Sequence, residues 1–568
     1  MRSLVLRLRS LAAGLPLLAL GFALTQIAPA AEPLARPVAA KLTATEVDKT
    51  LLDDVKDKSE LMKNLEYISD SIGPRLTGSK NLERANEWTA AKMKEYGLEN
   101  VKLEPWEIPL GWERGNASMT IVEPDTKVRC VLAAAGWSTS TNGKVVGEVI
   151  VLKARNKDDL AQYKGKLKNA VILRNPPATV APVTDTAYGP LPPAAPKKDE
   201  PKKELPKKSD ALTATLLGSQ VAPQPPAKEQ PKKEEPKQPE PKKDDQPRRP
   251  GVFDFAFQTE LNDFLKAEGV ACVLSDSAKP HGLLVVTGGW PRGDRGMVPD
   301  GPSRVFMSHE SYALLYRLAS RPAPAVTKVE VEINNKFTPG PITVFNTVGE
   351  VKGSEKPDEF VVVGAHLDSW DLATGTMDNG TGSCVVLETA RVIAALAKAG
   401  HRPKRTIRFC LFTGEEQGLY GSKEYVKKHA EEMDKTSVAL IHDTGTGKVT
   451  GFGTHAQAKA KEMLDPELSS LTSMDGWRGL DLGGINGSDH QSFQPAGVPG
   501  FAARQEIDEY RFTHHTQTDT FDHAKKEFLL QGAQVMAVTA VRAANLPDLL
   551  PRTRSVPKKD PAPKKDAQ

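Results

Sequence analysis

Cysteine is scarce in this chain, with four residues spread over 568 positions. That number and spacing exclude a disulfide-rich scaffold of the kind that small secreted domains use. Cys384 and Cys410 lie in apolar runs, so we expect buried free thiols at both positions. A pairing of Cys130 with Cys272 stays open, because sequence alone does not fix the geometry that a disulfide requires.

A large charge of one sign is also missing. The 76 Lys and Arg residues against 72 Asp and Glu residues leave a net charge of +4. Most basic residues alternate with acidic ones and form no basic stripe, which argues against nucleic acid as a partner. The chain length favours two domains with additional unstructured segments, because one core rarely serves so many residues.

No apolar run after the N-terminal region reaches the roughly 18 residues that a membrane-spanning helix needs. Residues 1–30 show the pattern of a secretory signal. Basic residues precede an apolar stretch from Leu11 to Leu24, and an Ala-Pro-Ala tripeptide follows it. We therefore expect cleavage and export to the periplasm or the exterior, with no stable membrane insertion afterwards. A retained N-terminal anchor is the alternative.

Two low-complexity tracts divide the chain. Residues 192–250 contain repeats such as PKKDEPKKELPKKSD, and residues 549–568 contain PKKDPAPKKDAQ. Such repeats bury too little apolar surface to offset the entropy of ordering them, so both tracts are predicted to be disordered. Around the first tract, GKVVGEVIVLK and VACVLSD predict short strands and ELNDFLKAEG predicts an amphipathic helix. The tract is therefore expected to be a surface loop of one small domain.

From Glu359 onward, strand and helix patterns alternate. PDEFVVVGAH, KRTIRFCLFTG and TSVALIHD predict buried strands, and the segments Gly382 to Lys398 and LYGSKEYVKKHAEEM predict helices between them. This alternation indicates an α/β fold with a largely parallel sheet and helices on both faces. In such sheets ligands bind beyond the carboxyl ends of the strands.

Acidic and histidine residues follow these strands directly or lie in loops that can reach the same edge. The set comprises His366, Asp378, Glu415, Glu416, Asp443 and His515. Two imidazoles with several carboxylates and no cysteine are the ligand set of a hydrolytic dinuclear zinc site. Any one of these residues alone has an ordinary structural explanation, such as a helix N-terminus. Their matching positions at strand ends favour a single site.

Each residue of the set has a chemical role in the predicted centre. His366 and Asp443 are expected to hold one zinc ion and Glu416 and His515 the other, with Asp378 bridging both through its two carboxylate oxygens.

Asp368, two residues after His366, is placed to accept the free N–H of that imidazole and fix its tautomer. Glu415 is then left without a ligand role and is the predicted general base for a water held between the metals.

Several motifs resemble, in order and spacing, those of the zinc exopeptidases that include aminopeptidase Y and glutamate carboxypeptidase. They are GAHLDSWDLATGTMDNGTG, LFTGEEQGLYGS, HDTG, GSDHQSFQPAGVPG and HHTQTDT. Together with IGPRLTGSKNLERANEWTAAKMKEYGLENV, the resemblance covers residues 50–110 and 340–545. It implies a phosphorylase/hydrolase-like α/β domain with a mixed sheet, two zinc ions, and removal of one amino acid or dipeptide unit from a peptide end.

Carried over residue by residue, the resemblance places the metal ligands on His366, Asp378, Glu416, Asp443 and His515. It also implies Glu415 as the base, Asp368 as the orienting partner, and a cis peptide bond after Asp378.

The neighbour of the last ligand, His514, occupies the position of a glutamate carboxypeptidase tyrosine that hydrogen-bonds the tetrahedral intermediate. We hypothesise that His514 donates to the oxyanion. Asp489 and His490 match a further family motif near the pocket. They are not expected to bind metal, because the two zinc ions already have their ligands.

The sequence patterns and the resemblance together give the expected domain organisation, in which the protease-associated character of the insertion is what the resemblance implies. A signal at 1–30 precedes an N-terminal part of the catalytic domain at 45–110, an inserted protease-associated-like domain at 111–335, and the zinc peptidase domain at 336–548. The tract at 192–250 lies outside the family pattern.

The expected function is an exported dinuclear zinc exopeptidase with aminopeptidase or dipeptidase activity on short peptides with unblocked N-termini. A glutaminyl-cyclase-like acyltransferase would use a single zinc and lack the His366 ligand. A non-enzymatic binding module would have lost ligands, and none is missing. A carboxypeptidase would need a positive clamp, for which Arg504 and Arg511 are candidates. Short peptides are the expected partners, and a homodimer is compatible with the sequence.

Overall fold

The computed structural model describes residues 42–180, 255–290 and 299–552. The predicted signal segment, the tract at 192–250 and residues 553–568 of the tail lie outside the described residues. The first described elements are three helices and one long strand: α1 (Ala44–Lys58), α2 (Leu61–Glu66), α3 (Lys80–Tyr96) and β1 (Glu99–Glu113).

The next elements belong to a smaller sheet. Its strands are β2 (Ala117–Glu123), β3 (Leu132–Ala134), β4 (Val145–Val151), β5 (Val171–Leu173), β6 (Cys272–Asp276), β7 (Ser303–Met307) and β8 (Lys328–Ile333). The helices of this part are α4 (Lys157–Leu160), α5 (Phe255–Ala267) and α6 (His309–Ala319).

The chain then returns to the larger sheet. Its remaining strands are β9 (Lys336–Val351), β10 (Lys356–His366), β11 (Arg405–Phe412), β12 (Thr436–Ile441), β13 (Val449–Gly453), β14 (Leu480–Asp481) and β15 (Gly500–Gln505). The helices are α7 (Thr381–Lys398), α8 (Tyr420–Lys428), α9 (Ala458–Leu464), α10 (His490–Phe493), α11 (Tyr510–Thr513) and α12 (Lys526–Asn545).

The larger sheet has eight strands in the order β1-β9-β11-β10-β12-β15-β13-β14. Its centre, β11-β10-β12-β15, is parallel, whereas β9 pairs antiparallel with β1 and β11. At the other edge, β13 pairs antiparallel with β15 and parallel with β14. The largely parallel sheet expected from strand and helix alternation is thus limited to the centre. The mixed α/β sheet that the family resemblance implied is confirmed.

Helices cover both faces of this sheet because its central strands are apolar on both sides. In β10, Val361 and Val363 contact the core under α1, α3, α7 and α12, and Val362 contacts the core on the opposite face. Tyr425 of α8 and Phe493 of α10 belong to that second core. This period of two is what a pleated strand produces when both faces are buried.

One helical segment of the described chain, Thr376–Lys398, is long and apolar enough to cross a membrane by length and composition. Its most apolar window is 89% buried inside the protein. It packs against the sheet and against α12, so it is a core helix of the larger sheet.

The smaller sheet has the strand order β2-β8-β4-β5-β6-β7-β3. Val171 and Leu173 of β5 face one core, and Ile172 faces a second core with Leu261 and Leu265 of α5. Strands β5 and β6, which flank the tract at 192–250, pair in parallel. All strands of this sheet lie between residues 117 and 333, inside the segment predicted as an insertion. Its protease-associated character stays a prediction.

All four cysteines are free and buried. The expected buried thiols at Cys384 and Cys410 are present, and no disulfide joins Cys130 to Cys272. Burial raises the pKa of the Cys130 thiol to about 11 and that of Cys272 to about 12. Neither thiol is therefore a reactive thiolate at neutral pH.

Candidate metal centre

The carboxyl ends of β10, β11 and β12 lie side by side, because the three strands are parallel neighbours. His366 is the last residue of β10, and Asp443 follows β12 closely. Nε2 of His366 is 3.1 Å from Oδ1 of Asp443 and 3.4 Å from Oδ1 of Asp378. Three potential ligand atoms therefore surround one position.

A second group forms around the other oxygen of Asp378. Nε2 of His515 is 3.4 Å from Oδ2 of Asp378 and 2.9 Å from Oε2 of Glu416. His515 holds a left-handed backbone with φ of 60°, a conformation that costs energy for a non-glycine residue and often marks functional sites. Asp378 thus offers one oxygen to each of two separate groups.

The donor set fits zinc. Oδ2 of Asp378 and Oε1 of Glu416 are buried and have no hydrogen-bond partner among the described residues. Burying an unpaired carboxylate oxygen costs free energy unless a proton or a cation compensates it. Histidine nitrogens and carboxylate oxygens are the ligands that catalytic zinc takes in proteins.

Two sets of three residues could each hold a metal ion, because the ligand atoms within each set lie within 4.8 Å of one another. One set is Asp378, His514 and His515, and the other is His366, Asp378 and Glu416. The first set includes His514, which was not predicted as a ligand. Nε2 of His514 is 3.9 Å from Oδ2 of Asp378, farther than Nε2 of His515. The shorter distances, to Asp378 and to Glu416, favour His515 as the ligand.

Burial is the first cause that raises the pKa values of Glu415 and Glu416 well above the usual carboxyl range. The charge of Asp443 adds to the rise for Glu415, and the charge of Asp378 adds to it for Glu416. Burial disfavours the imidazolium of His366, but the charges of Asp443 and Glu415 raise its pKa. Buried carboxyl groups that lie this close together keep their protons unless a metal cation takes the place of the protons.

Asp368 accepts the hydrogen bond of the His366 imidazole through its backbone carbonyl and not through its carboxylate. Nδ1 of His366 is 2.9 Å from the backbone carbonyl oxygen of Asp368 and 3.7 Å from its carboxylate Oδ1. The carboxylate instead accepts hydrogen bonds from Oγ1 of Thr77 at 3.0 Å and from the backbone N–H groups of Glu415 and Glu416 at 3.2 and 3.4 Å. Asp368 is thus the partner of the His366 imidazole, as predicted, but through its main chain, while its side chain holds the Glu415-Glu416 turn.

A buried arginine from the N-terminal segment joins the loops of the centre. The guanidinium of Arg75 donates to the carbonyl oxygens of Leu367 at 2.7 Å, Thr374 at 3.0 Å and Gly375 at 2.6 Å. These carbonyls flank the segments that carry His366 and Asp378. The sequence analysis missed Arg75, although it lies in the family-like IGPRLTGS motif.

The loop of the bridging residue has a second anchor. The carboxylate of Asp519 accepts hydrogen bonds from the backbone N–H groups of Met377 and, at 3.3 Å, of Asp378. Burial raises the pKa of Asp519 to about 8, and the charge of Asp378 adds to the rise. The Asp378-Asn379 peptide bond is cis, as the resemblance implied.

His514 stacks on His515, with ring centroids 3.8 Å apart and planes inclined by 17°. Burial lowers the pKa of His514 to about 3, and the charge of His515 adds to the decrease. The His514 imidazole is therefore neutral at neutral pH. Its role as an oxyanion donor stays a prediction.

Tyr510 is a second candidate for the donor to the oxyanion, and the sequence did not point to it. Its ring centroid is 5.1 Å from that of His514, and the ring packs on Gly445, where a Cβ atom would meet Cδ2 of the tyrosine at 2.6 Å. Burial raises the pKa of Tyr510, and the charges of Asp378 and Asp443 raise it further. The phenol therefore keeps its proton. The signal available in sequence was its proximity to both histidines in EYRFTHH.

Asp489 and His490, the two residues that match the further family motif near the pocket, have different surroundings. Asp489 is fully buried with both carboxylate oxygens unpartnered among the described residues, and burial raises its pKa to about 7. Nε2 of His490 instead contacts Nε2 of His455 at 3.0 Å and the carbonyl oxygen of Ile485 at 2.8 Å.

Arg504 and Arg511, the candidates for a positive clamp on a substrate carboxylate, contact other residues of the protein. Arg504 pairs with Asp481 at 2.7 Å. Arg511 is exposed, with its guanidinium over the ring of Phe512 at 4.5 Å.

The substitution Arg75→Lys keeps the charge but removes the planar fork that reaches several carbonyls. We expect it to destabilise the fold by about 3 kcal/mol, since hydrogen bonds to a charged group contribute about 1.5–3 kcal/mol each, and to reduce zinc retention. Thermal unfolding and the zinc content after dialysis measure both effects. Arg84→Lys, at an exposed arginine on α3, is the matched control. An unchanged Tm and zinc content in Arg75→Lys would contradict the role of Arg75.

Comparisons with known proteins agree with this geometry. Residues 346–540 match the model of peptidase family M28. Carboxypeptidase Q of Mus musculus is 28% identical over 499 residues, and that of Homo sapiens is 26% identical over 499 residues. In both cases the match covers 88% of this chain and 88% of the relative.

Solved structures show the same fold. A peptidase M28 precursor from Shewanella amazonensis SB2B has a TM-score of 0.64 at 24% identity, covering 91% of this chain and 99% of that chain. A zinc aminopeptidase from Bacillus subtilis has a TM-score of 0.53 at 19% identity, covering 86% of this chain and 98% of that chain. The family model matches the residues that carry the centre, and together with the likeness to carboxypeptidase Q along most of the chain this match identifies the protein as a zinc-dependent metallo-exopeptidase.

Proposed function

We propose that this chain is an exported dinuclear zinc exopeptidase that hydrolyses the terminal peptide bond of short peptides with a free N-terminus. One observation carries the dinuclear assignment: the two oxygens of Asp378 face two different groups, one with His366 and Asp443 and the other with His515 and Glu416. A carboxylate that faces two donor groups is the arrangement that a bridging ligand needs.

The proposed mechanism assigns the proton transfers to Glu415. When bound, zinc supplies Lewis-acid polarisation of the scissile carbonyl and lowers the pKa of water at the centre. Glu415 takes a proton from the attacking water, whose oxygen forms a bond to the carbonyl carbon. The C–N bond then breaks, and Glu415 passes the proton to the leaving amine. Its burial beside His366 and Asp443 supports this role.

Short peptides with an open N-terminus are the proposed substrates. A free α-amino group would bind, as a neutral amine, to the zinc ion that Glu416 and His515 would hold, whereas a blocked N-terminus would not. A single-zinc, glutaminyl-cyclase-like centre would lack the His366 ligand. It is disfavoured here, because Nε2 of His366 lies 3.1 Å from Asp443 and 3.4 Å from Asp378 and can share a metal ion with them. Carboxypeptidase action is the second candidate, since the matched curated relatives carry the name carboxypeptidase Q.

Export is proposed from the signal pattern of residues 1–30, which lie outside the described residues. N-terminal sequencing of the protein isolated from its producing cells checks this proposal. A mature chain that begins after the Ala-Pro-Ala tripeptide supports cleavage, and a chain that still begins at Met1 supports a retained anchor.

The substitution Glu415→Gln removes the proposed base and leaves the proposed ligands in place. We expect kcat to fall by about 10²- to 10⁴-fold, the usual contribution of a general base, while zinc binding is retained. Dipeptide turnover and zinc content by elemental analysis are the measurements.

Glu424→Gln, on α8 and paired with Lys427, is the control and should keep wild-type turnover. An active, zinc-replete Glu415→Gln variant would remove Glu415 from the mechanism. A wild-type protein with one zinc per chain would instead remove the dinuclear assignment.

His514 and Tyr510 are compared by two substitutions that each keep an aromatic ring. If His514 donates to the oxyanion, His514→Phe should lower kcat by about 10²- to 10³-fold with little change in KM. Tyr510→Phe, which removes only a hydroxyl, should then have a small effect. Steady-state kinetics on one dipeptide and zinc content separate the cases. Wild-type kcat in His514→Phe would reject its role, and a loss confined to Tyr510→Phe would transfer the role to Tyr510.

A further inference from the structure

The smaller sheet borders a cavity of its own. The cavity has a volume of about 530 Å³ and is lined by residues of α5, β6 and β7 and by the segment from Thr287 to Trp290. Small-molecule pockets in proteins have volumes of about 300–1,000 Å³, so a small organic molecule fits this space. Among the described residues that line it, none is a proposed metal ligand. The cavity is therefore separate from the metal centre.

Two arginines line this cavity from the same face of the sheet. Ile172 of β5 faces the core that contains α5, and it is in register with Val273 of β6. Val273 is in turn in register with Arg304 of β7. Residues in register on neighbouring strands share a face, so Arg304 lies on the α5 side. Arg174 comes two residues after Ile172 and lies on that side as well.

The positions of the two arginines allow both to bind one ligand. Arg174 and Arg304 are separated by two strand spacings across the sheet and by two residues along it, which places their Cα atoms about 12 Å apart. On β6, between them, this face carries only the short side chains of Val273 and Ser275. A carboxylate above β6 is thus within reach of two long, forked guanidinium side chains.

Neither arginine has a carboxylate partner among the residues that the structure describes. Nη1 of Arg174 donates to the amide oxygen of Gln258 at 2.9 Å, and Nη2 of Arg304 donates to the carbonyl oxygen of Gly136 at 3.4 Å. A guanidinium has five N–H groups, so most donors of each arginine are left for a ligand. Arg174 is half-buried, and a sheltered cation without a countercharge favours an anion.

Two acidic residues also line the cavity, but they leave the arginines uncompensated. Asp300 forms an ion pair with Lys266. Asp263 is exposed on α5 and forms no ion pair within the described part of the chain. Water and salt screen an exposed carboxylate, so its effect on the arginines is small. The cavity therefore favours a negatively charged ligand.

Another part of the cavity wall is aromatic. Trp137 and Trp290 line it, with ring centroids 5.2 Å apart in an edge-to-face arrangement. Nε1 of Trp137 donates to the carbonyl oxygen of Leu110 at 3.1 Å, so this indole presents mainly apolar surface. Aromatic rings of this kind bind other aromatic groups by stacking and edge contacts.

We propose that this cavity binds a small carboxylic acid that carries an aromatic group. The carboxylate binds between Arg174 and Arg304, and the aromatic group contacts Trp137 and Trp290. The inference concerns a second site outside the metal centre and makes no use of the peptidase mechanism. Either can therefore fail without the other.

The test is calorimetry on the full-length, zinc-loaded protein with phenylacetate and with phenylacetamide, which has nearly the same shape without the charge. Wild type should bind the acid about 10- to 100-fold more tightly than the amide, the range expected for hydrogen bonds to a charged group. Arg174→Gln and Arg304→Gln should each raise the Kd of the acid by a similar factor. Arg317→Gln, at an exposed arginine of α6, is the matched control and should keep wild-type affinity.

A third variant blocks the site without removing either arginine. Ser275→Phe places a ring on β6 between them and should abolish binding of phenylacetate. Thermal unfolding checks that each variant is folded. If a variant does not fold, the comparison of acid with amide in wild type still decides the charge dependence.

A carboxylate is also a ligand for zinc, so the titration is repeated after chelation. Binding that persists without zinc and is lost in the arginine variants supports the inference. Equal affinities for acid and amide, wild-type affinity in both arginine variants, or no measurable binding would overturn it. Binding that is lost with the zinc but persists in the arginine variants would place the ligand at the metal centre, and this too overturns the inference.

Discussion

The burial of several carboxylates at the ends of parallel strands is the constraint on which the rest of this molecule depends. Asp378, Glu415 and Glu416 are shielded from water, and an unpaired charge in such a place is costly. Protons relieve that cost only by removing the charges that catalysis uses. Zinc relieves it while keeping the carboxylates ionised, so the same arrangement that strains the metal-free protein prepares it to bind metal.

Holding these groups in place requires contacts from distant parts of the chain. Arg75, from the loop before α3, donates to the carbonyls of the His366 and Asp378 loops, and Asp519 accepts from the backbone that carries Asp378. The carboxylate of Asp368 holds the Glu415-Glu416 turn. Each of these groups acts on backbone atoms, so the ligand loops are positioned before any metal arrives.

The smaller sheet's domain contributes hydrogen bonds to the backbone of the centre. Its segment from Lys279 to Val286 is hydrogen-bonded to the loop of His515. The proposed metal ligands thus all follow strands of the larger sheet or lie in its loops, and the smaller sheet's segment holds the backbone of one of these loops.

The sequence was sufficient to predict the central strands and the convergence of acidic and histidine side chains at their ends, because buried β-branched runs followed by such residues have a clear pattern in FVVVGAH and RFCLFTGEE. It was not sufficient where a side chain chooses its partner in three dimensions. Asp368 turns to backbone N–H groups, and the predicted helix LYGSKEYVKKHAEEM ends as an α-helix at Lys428, where His429 contacts Glu104 and Glu432. Such contacts join residues far apart in the chain and leave no local periodicity.

A zinc-edge anomalous difference map from crystals of the zinc-loaded protein tests the central claim most directly. The account predicts two peaks about 3.5–4 Å apart on either side of Asp378, the spacing of two-metal hydrolytic sites. One peak should lie against His366 and Asp443, and the other against Glu416 and His515. A single peak, or a second peak that is ligated by His514 and not by His515, would contradict it.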